Sequence, residues 1–278
     1  MKTILVLTDF SDHALFALKV AASIAKKLNA KINLVHSYNT PPAEYYEYHY
    51  YNKFYKDMKE NATTQLTKLI NLELLKGIPV EKNIVTNMFI WEIVSDEKYR
   101  NADLIVMGSH GSSGFNNVFI GSNTVKVVRH ADSPVLTIAN EHDEFTVSNM
   151  IFASNFNKES YSAFGKIKFF ADLYKAHIYL LKVITPMDFE STPYSQKLIS
   201  DFVKIFNLKD YSVNIYNASD TENGIIDFCN EKKVDLIGIE THGRTGFAHL
   251  INGSIAEKIA KNEMKPVLSV KMQINSDC

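Results

Sequence analysis

Residues 101–122 read NADLIVMGSHGSSGFNNVFIGS, and residues 233–254 read KVDLIGIETHGRTGFAHLINGS. Set at an offset of 132, the two phrases share an Asp-Leu-Ile core, a His-Gly pair and a closing Gly-Ser. Working outward, ILVLTDFSDHALFALKVAASIAKKLNAKINLVHSY (4–38) lines up with MIFASNFNKESYSAFGKIKFFADLYKAHIYLLKVI (150–184) at an offset of 146. SPVLTI (133–138) then matches KPVLSV (265–270) at 132 again. The 14 residues lost between the offsets fall after the second strand, where the first copy carries an insertion that includes PPAEYYEYHYYNKFYKDMKE. Self-similarity on this scale predicts two homologous units, residues 1–140 and 147–278, joined near NEHDEFTVS (140–148).

Inside each unit, strand and helix patterns alternate. TILVL is a compact apolar run of the kind buried in a parallel sheet. Ser11 is placed to cap a helix on which Ala14, Leu15, Leu18, Ala21, Ala22 and Ala25 recur at helical spacing. KINLVHSY reads as a second strand, ATTQLTKLINLELLKG as a second helix closed by Gly77, and VEKNIVT as a third strand. MFIWEIVSDEKYR, DLIVMG, SNTVKVVRH and SPVLTIA continue as helix, strand, helix and strand. The expected fold class is therefore α/β, with two tandem, doubly wound parallel-sheet domains. Such sheets bind ligands beyond the carboxyl ends of their strands, where strand order reverses. The quoted phrase leaves the end of a fourth strand.

Composition narrows the class. With 46% apolar and 22% charged residues, the chain has the profile of a soluble globular protein. A net charge of −1 gives no bulk attraction to nucleic acid or to acidic membranes, and no dense Lys/Arg run appears. Two cysteines, Cys229 and Cys278, make no disulfide framework and suit a reducing compartment. The apolar run at the start is too short for a signal sequence, and no segment approaches the roughly 18 apolar residues that span a bilayer. A cytoplasmic protein, with no nucleic-acid or membrane partner, is expected.

The glycine-rich phrase carries the chemistry. Glycine lets a backbone turn with φ > 0 and brings its N–H groups close to a ligand. Gly121-Ser122 opens a helix whose free N–H groups and dipole favour an anion, and Ser122 adds a hydroxyl donor. A phosphate chain fits this pattern without a lysine. The phrase lacks the Gly-Lys-Ser/Thr ending of a P-loop and the tight Gly-x-Gly-x-x-Gly of a dinucleotide fold.

Gly108-x2-Gly111-x9-Gly121-Ser122, between a fourth strand and a fourth helix, resembles the ATP-binding motif of the universal stress proteins. VLTDFSDHALFAL (6–18) and SPVLTI are similar to that family as well, and the resemblance covers nearly the whole chain as two tandem copies. It implies a fold akin to the adenine nucleotide α-hydrolase type, with ATP, alone or with Mg²⁺, at the strand carboxyl ends. Carried over by position, Asp9 would accept hydrogen bonds from the ribose hydroxyls, and backbone near Ser37 would meet the adenine. Met107 and Gly108 would line base and ribose, while Gly111, Gly121, Ser122, Asn123 and Thr124 would face the phosphates. Met107 reads equally as core filler, and His110, matched by His242, as a residue of loop structure. The resemblance also implies that PVLTIA and PVLSVK meet across a pseudo-twofold axis, so that the halves pack as a pseudo-dimer and cover two sheet edges.

The second copy departs from the motif. Glu240 stands where the first copy has Gly108, and Asn155 where it has Asp9. At about 4 Å two like charges repel by roughly 1 kcal/mol in water and about 4 kcal/mol at an effective dielectric near 20. Arg244 and His242 in the same phrase would offset part of this. The second half is expected not to hold ATP, and exchange of Gly108 for Glu is expected to abolish binding while sparing the fold.

The function these features point to is an ATP-binding sensor or regulator of the stress response. Two alternatives stand beside it. One is slow ATP hydrolysis or self-phosphorylation at Ser122 or Thr124, with no evident general base or Mg²⁺ carboxylate beside the loop. The other is a nucleotide-free module that recognises a small ligand, or a protein through the tyrosine-rich residues 43–56. That segment reads also as a helix or loop packed on its own domain, or as a lid over the first site. Cys229 reads as buried and inert, a metal site around His49 has no supporting ligand pattern, and a homodimer of whole chains is allowed.

Overall fold

A computed structural model describes residues 2–40, 48–109, 121–241 and 265–272. The first half runs β1 (Thr3–Thr8), α1 (Asp12–Leu28), β2 (Lys31–Tyr38), α2 (Tyr48–Ile70), β3 (Val80–Thr86), α3 (Ile90–Ser95), β4 (Leu104–Gly108), α4 (Ser122–His130) and β5 (Val135–Ile138). The second runs β6 (Asn149–Ala153), α5 (Ser160–Tyr174), β7 (His177–Ile184), α6 (Thr192–Phe206), β8 (Tyr211–Asn217), α7 (Thr221–Lys232), β9 (Leu236–Thr241) and β10 (Val267–Lys271). Among the described residues no helix is long and apolar enough to cross a membrane.

Among the described residues ten strands join one sheet in the order β3-β2-β1-β4-β5-β10-β9-β6-β7-β8. Each half is a parallel array with its order reversal between the first and fourth strands, β1 beside β4 and β6 beside β9. The halves meet where β5 pairs antiparallel with β10, Leu136 opposite Leu268. This is the pairing of PVLTIA with PVLSVK anticipated above, and it removes two apolar edges from solvent. Because that pair is antiparallel, the carboxyl ends of the two halves point in opposite directions.

Helices cover both faces. On one, α1, α2, α5 and α6 bury a core that runs without a break across the junction, from Ile4, Leu18 and Leu66 to Phe164, Phe202 and Leu268. On the other, α3 and α4 close a first-half cluster around Leu5, Val94, Met107 and Val127, and α7 covers a separate one around Ile151, Ile225 and Phe228. Burial on both faces explains why β1, β4 and β6 read as unbroken apolar runs.

Of the forms expected for the insertion, the helical one is found over its described part. α2 begins at Tyr48, so residues 48–55 of the tyrosine-rich stretch belong to that helix and not to a separate element. Residues 41–47 lie outside the described part of the chain.

Candidate functional site

At the reversal point of the first half, three backbone features converge. β1 ends at Thr8, and Phe10 takes a left-handed φ of 66°. A non-glycine residue rarely adopts that conformation, and it costs about 1–3 kcal/mol. The turn is held by the Phe10 N–H, which donates to Thr8 Oγ1 at 3.1 Å. Asp9 sits at its apex, where Oδ1 accepts from the Ser11 N–H at 3.1 Å and from Ser11 Oγ at 2.6 Å. Ser11 in turn caps α1, accepting from the Ala14 N–H at 3.3 Å. The carboxylate is thereby aimed and left partly exposed beside the end of β4.

Gly108 closes β4 against the first turn of α1. A Cβ at that position would lie 2.8 Å from the His13 carbonyl carbon and 2.9 Å from His13 Cβ. The expectation that Gly108→Glu would spare the fold is therefore corrected: the glycine is required by helix–strand packing before any ligand arrives. Met107 is 6% exposed within the first-half cluster, so its side chain packs the core. Ser37 lies in β2 beside Val85 of β3.

α4 begins where the Gly121 N–H donates to the Ser109 carbonyl at 2.7 Å. Thr124 is buried, and its hydroxyl lies 3.1 Å from the Gly108 carbonyl and 3.2 Å from that of Ser109. That hydroxyl ties the helix start to the end of β4, and what Thr124 can offer an anion is its main-chain N–H. Ser122 and Asn123 are exposed in the first turn. Among the described residues no side chain caps α4, unlike α1. Gly111 and His110 lie outside the described residues.

One contributor escaped the reading of the sequence. His36, near the end of β2, has Nδ1 2.8 Å from the Thr8 carbonyl and its ring 4.2 Å from that of Phe10. Burial lowers its pKa below 6.5, against opposing pulls from the Thr8 carbonyl and the Asp9 charge. The 146-residue offset did hold a signal, since it sets His36 opposite Lys182, a polar residue late in an apolar strand in both copies.

The second half repeats the scaffold with other chemistry. Phe156 again has a left-handed φ, 58°, and its N–H donates to Ser154 Oγ at 2.8 Å. Glu240, in the place of Gly108, is 5% exposed. Its Oε1 accepts from Ser154 Oγ and Ser160 Oγ, each at 3.0 Å. The carboxylate thus turns inward beneath the β6–α5 connection, where direct exposure to a phosphate had been expected. Room for it exists because α5 starts at Ser160, reached through i to i+3 turns at Asn157 and Lys158, whereas α1 begins directly at Asp12. Lys182 is 2% exposed, its ammonium 3.1 Å from both the Asn155 carbonyl and Glu190 Oε2. A cavity of about 670 Å³ opens above these groups at the carboxyl ends of β6, β7 and β9. Arg244, His242 and the second-copy glycines from Gly243 onward lie outside the described residues. Cys229 is buried on the inner face of α7, and burial pushes its thiol up to about 12, so it stays protonated and inert. Among the described residues no three His, Cys, Asp or Glu side chains converge to hold a metal ion.

Comparison with known proteins agrees with this architecture. The sequence pattern of the universal stress protein family matches residues 1–139 and 215–271. A universal stress protein of Methanocaldococcus jannaschii is 30% identical over 149 residues, covering 49% of this chain and 81% of its own. One from Thermus aquaticus is 34% identical over 145 residues, covering 49% of this chain and 98% of its own. Among solved structures, a universal stress protein from Archaeoglobus fulgidus superimposes with a TM-score of 0.76 over 99% of this chain and 97% of its own. At 19% identity that likeness is one of fold.

Proposed function

We propose, since the chain belongs to the universal stress protein family, that residues 1–140 bind ATP and that the protein works as a nucleotide-dependent sensor or regulator of the stress response. The observation that carries this reading is the first turn of α4, with Ser122 and Asn123 exposed and no side-chain cap among the described residues, at the reversal point that also holds Asp9. A helix start of this kind favours a phosphate chain, and a carboxylate at the end of β1 suits ribose hydroxyls. His36 and Phe10 would offer a flat, largely apolar wall to the base. Mg²⁺, if carried, would arrive on the phosphates. Residues 147–278 are the partner unit, with Glu240 filling the place of Gly108 and disfavouring the same ligand.

Calorimetric titration of the full chain with ATP, beside a Ser122→Asp variant, tests this. An acidic residue in the first turn helps the helix by about 0.3–1 kcal/mol. The same charge opposes phosphate by roughly 1 kcal/mol in water, and by more where water is excluded. The expected result is one ATP per chain, weakened by about fivefold or more in a variant that melts no lower than the wild type. Equal ATP affinity in both proteins would overturn the assignment of α4, and two ATP per chain would overturn the silent second half.

A further inference from the structure

We infer that Ser212, His177 and Asp210 form a nucleophile, a base and its orienting carboxylate that hydrolyse small activated esters at the outer edge of the second half. The set sits at the amino ends of β7 and β8, and β8 is the last strand of the sheet on that side. His177 Nδ1 lies 2.6 Å from Asp210 Oδ1, and Nε2 lies 3.0 Å from Ser212 Oγ. A carboxylate can only accept, so Nδ1 carries the proton and Nε2 of the neutral ring accepts from the Ser212 hydroxyl. The three groups therefore stand in the order and at the distances that acyl transfer needs. Asn214, two residues along the same face of β8, has Nδ2 3.3 Å from Ser212 Oγ and brings an N–H donor to where an oxyanion would form.

Main chain and packing hold the set in place. The Asp210 carbonyl accepts from the Ile178 N–H at 3.1 Å, and the His177 N–H donates to the Ser148 carbonyl at 2.9 Å. The Tyr179 ring meets His177 edge-on at 4.8 Å and packs in turn on Phe228 at 5.7 Å. That half-buried ring offers apolar surface to the acyl part of an ester. The fold itself does not demand these residues. In the first copy Lys31, Pro79 and Glu81 hold the matching ladder positions, and the Ile32 N–H donates to the Pro79 carbonyl as that of Ile178 does to Asp210.

In the reaction Ser212 Oγ attacks the ester carbonyl carbon, its proton passes to His177 Nε2, and the oxyanion accepts from Asn214. Collapse breaks the ester C–O bond, and the leaving oxygen takes the proton from Nε2. Water then attacks the acyl-serine with His177 again as base, releasing a carboxylic acid and restoring Ser212. Asp210 acts through His177 and is a positioning residue. Its side chain is 70% exposed, so water weakens its hold on the imidazolium, and esters with a good leaving group are the class that turns over. This inference stands apart from ATP binding, since β7 and β8 lie away from the reversal point of the first half.

The test is nitrophenolate release from p-nitrophenyl acetate by the full chain, beside labelling with a fluorophosphonate, which loses fluoride as its phosphorus bonds a nucleophilic serine oxygen. Ser212→Ala, His177→Gln and Asp210→Asn accompany the wild type, each checked by circular dichroism. Release above that of the heat-denatured chain is expected, with one label per chain mapped to Ser212. Ser212→Ala should lose the label and the excess release, and His177→Gln should lower kcat by about 100-fold or more. Asp210→Asn should lower kcat by about tenfold or more with KM unchanged. No release above the denatured chain, a label on another residue, or full turnover in Ser212→Ala would each overturn the inference. An Asp210→Asn variant altered in KM alone would remove Asp210 from the set.

Discussion

Gly108 shows how packing by itself can demand a glycine at the end of a strand. The His13 backbone occupies the space that a side chain would need, so Gly108→Ala should cost about 1–3 kcal/mol through overpacking. Gly165, inside α5, has nothing within 4 Å of where its Cβ would lie. There the same exchange should stabilise by about 0.5–1 kcal/mol, since alanine is the better helix former. Urea unfolding of both variants checks the contrast, and an unchanged midpoint for Gly108→Ala would assign the glycine to ligand access alone. The two half-buried histidines make a second prediction. His36 and His142 both have pKa values lowered from 6.5, chiefly by burial, so the unfolded chain binds protons more readily than the folded one. Stability therefore rises with pH across this window. The contribution is complete above 6.5 and is lost as pH falls through the lower folded-state values. Melting temperatures recorded between neutral and mildly acidic pH should fall, and His36→Gln and His142→Gln should each flatten part of that slope.

At the scale of elements, the repeat reaches details that no single copy announces. Asp103 Oδ2 accepts from the N–H groups of Lys2 and Thr3 at 2.7 and 2.9 Å, holding the start of β1. Asp235, its counterpart at the 132-residue offset, holds the start of β6 through Ser148 and Asn149 at 2.8 and 2.9 Å. Asp235→Ala should cost about 1–2 kcal/mol, because two main-chain donors lose a charged acceptor in a half-buried setting. The more exposed Asp103 should matter less, and chemical denaturation of both variants tests that order. Element bounds were legible where an apolar run meets a polar stop: β2, β3 and α4 lie where the sequence places them. α3 is shorter than its pattern, ending at Ser95 because Asp96 turns out of the helix and its Oδ1 accepts from the Lys98 N–H at 2.9 Å. α2 is longer, since tyrosine and asparagine tolerate a helix that their composition does not advertise.

In the whole molecule, the halves are bound by more than the β5–β10 ladder. Phe145 of the connecting segment is buried, with its ring edge-on to Tyr174 at 5.7 Å. Lys271 pairs with Asp132 at 2.8 Å, and Lys19 with Glu141. Because α1 and α5 share one core across the junction, cutting the chain there would expose both a sheet edge and apolar surface. Residues 1–140 expressed alone should therefore self-associate, pairing β5 with β5 in place of β10. Sedimentation of that fragment checks this, and a stable monomer would show that the junction is dispensable.

Hydrophobic periodicity and internal repetition, both local properties, were enough to determine the α/β class, the order of elements and the two-copy plan, because burial on both sheet faces imprints itself residue by residue. The meeting of the edge strands came from family resemblance, and pairing geometry carries it. What only the tertiary structure decided lies in contacts between segments far apart in the chain. The Gly108–His13 approach, the inward turn of Glu240 and the Lys182–Glu190 pair each depend on the close packing of elements whose separation no local pattern records. Side-chain direction at the sheet ends is set by those neighbours, and so the sequence marked the two sheet ends while the packing determined how their side chains are arranged.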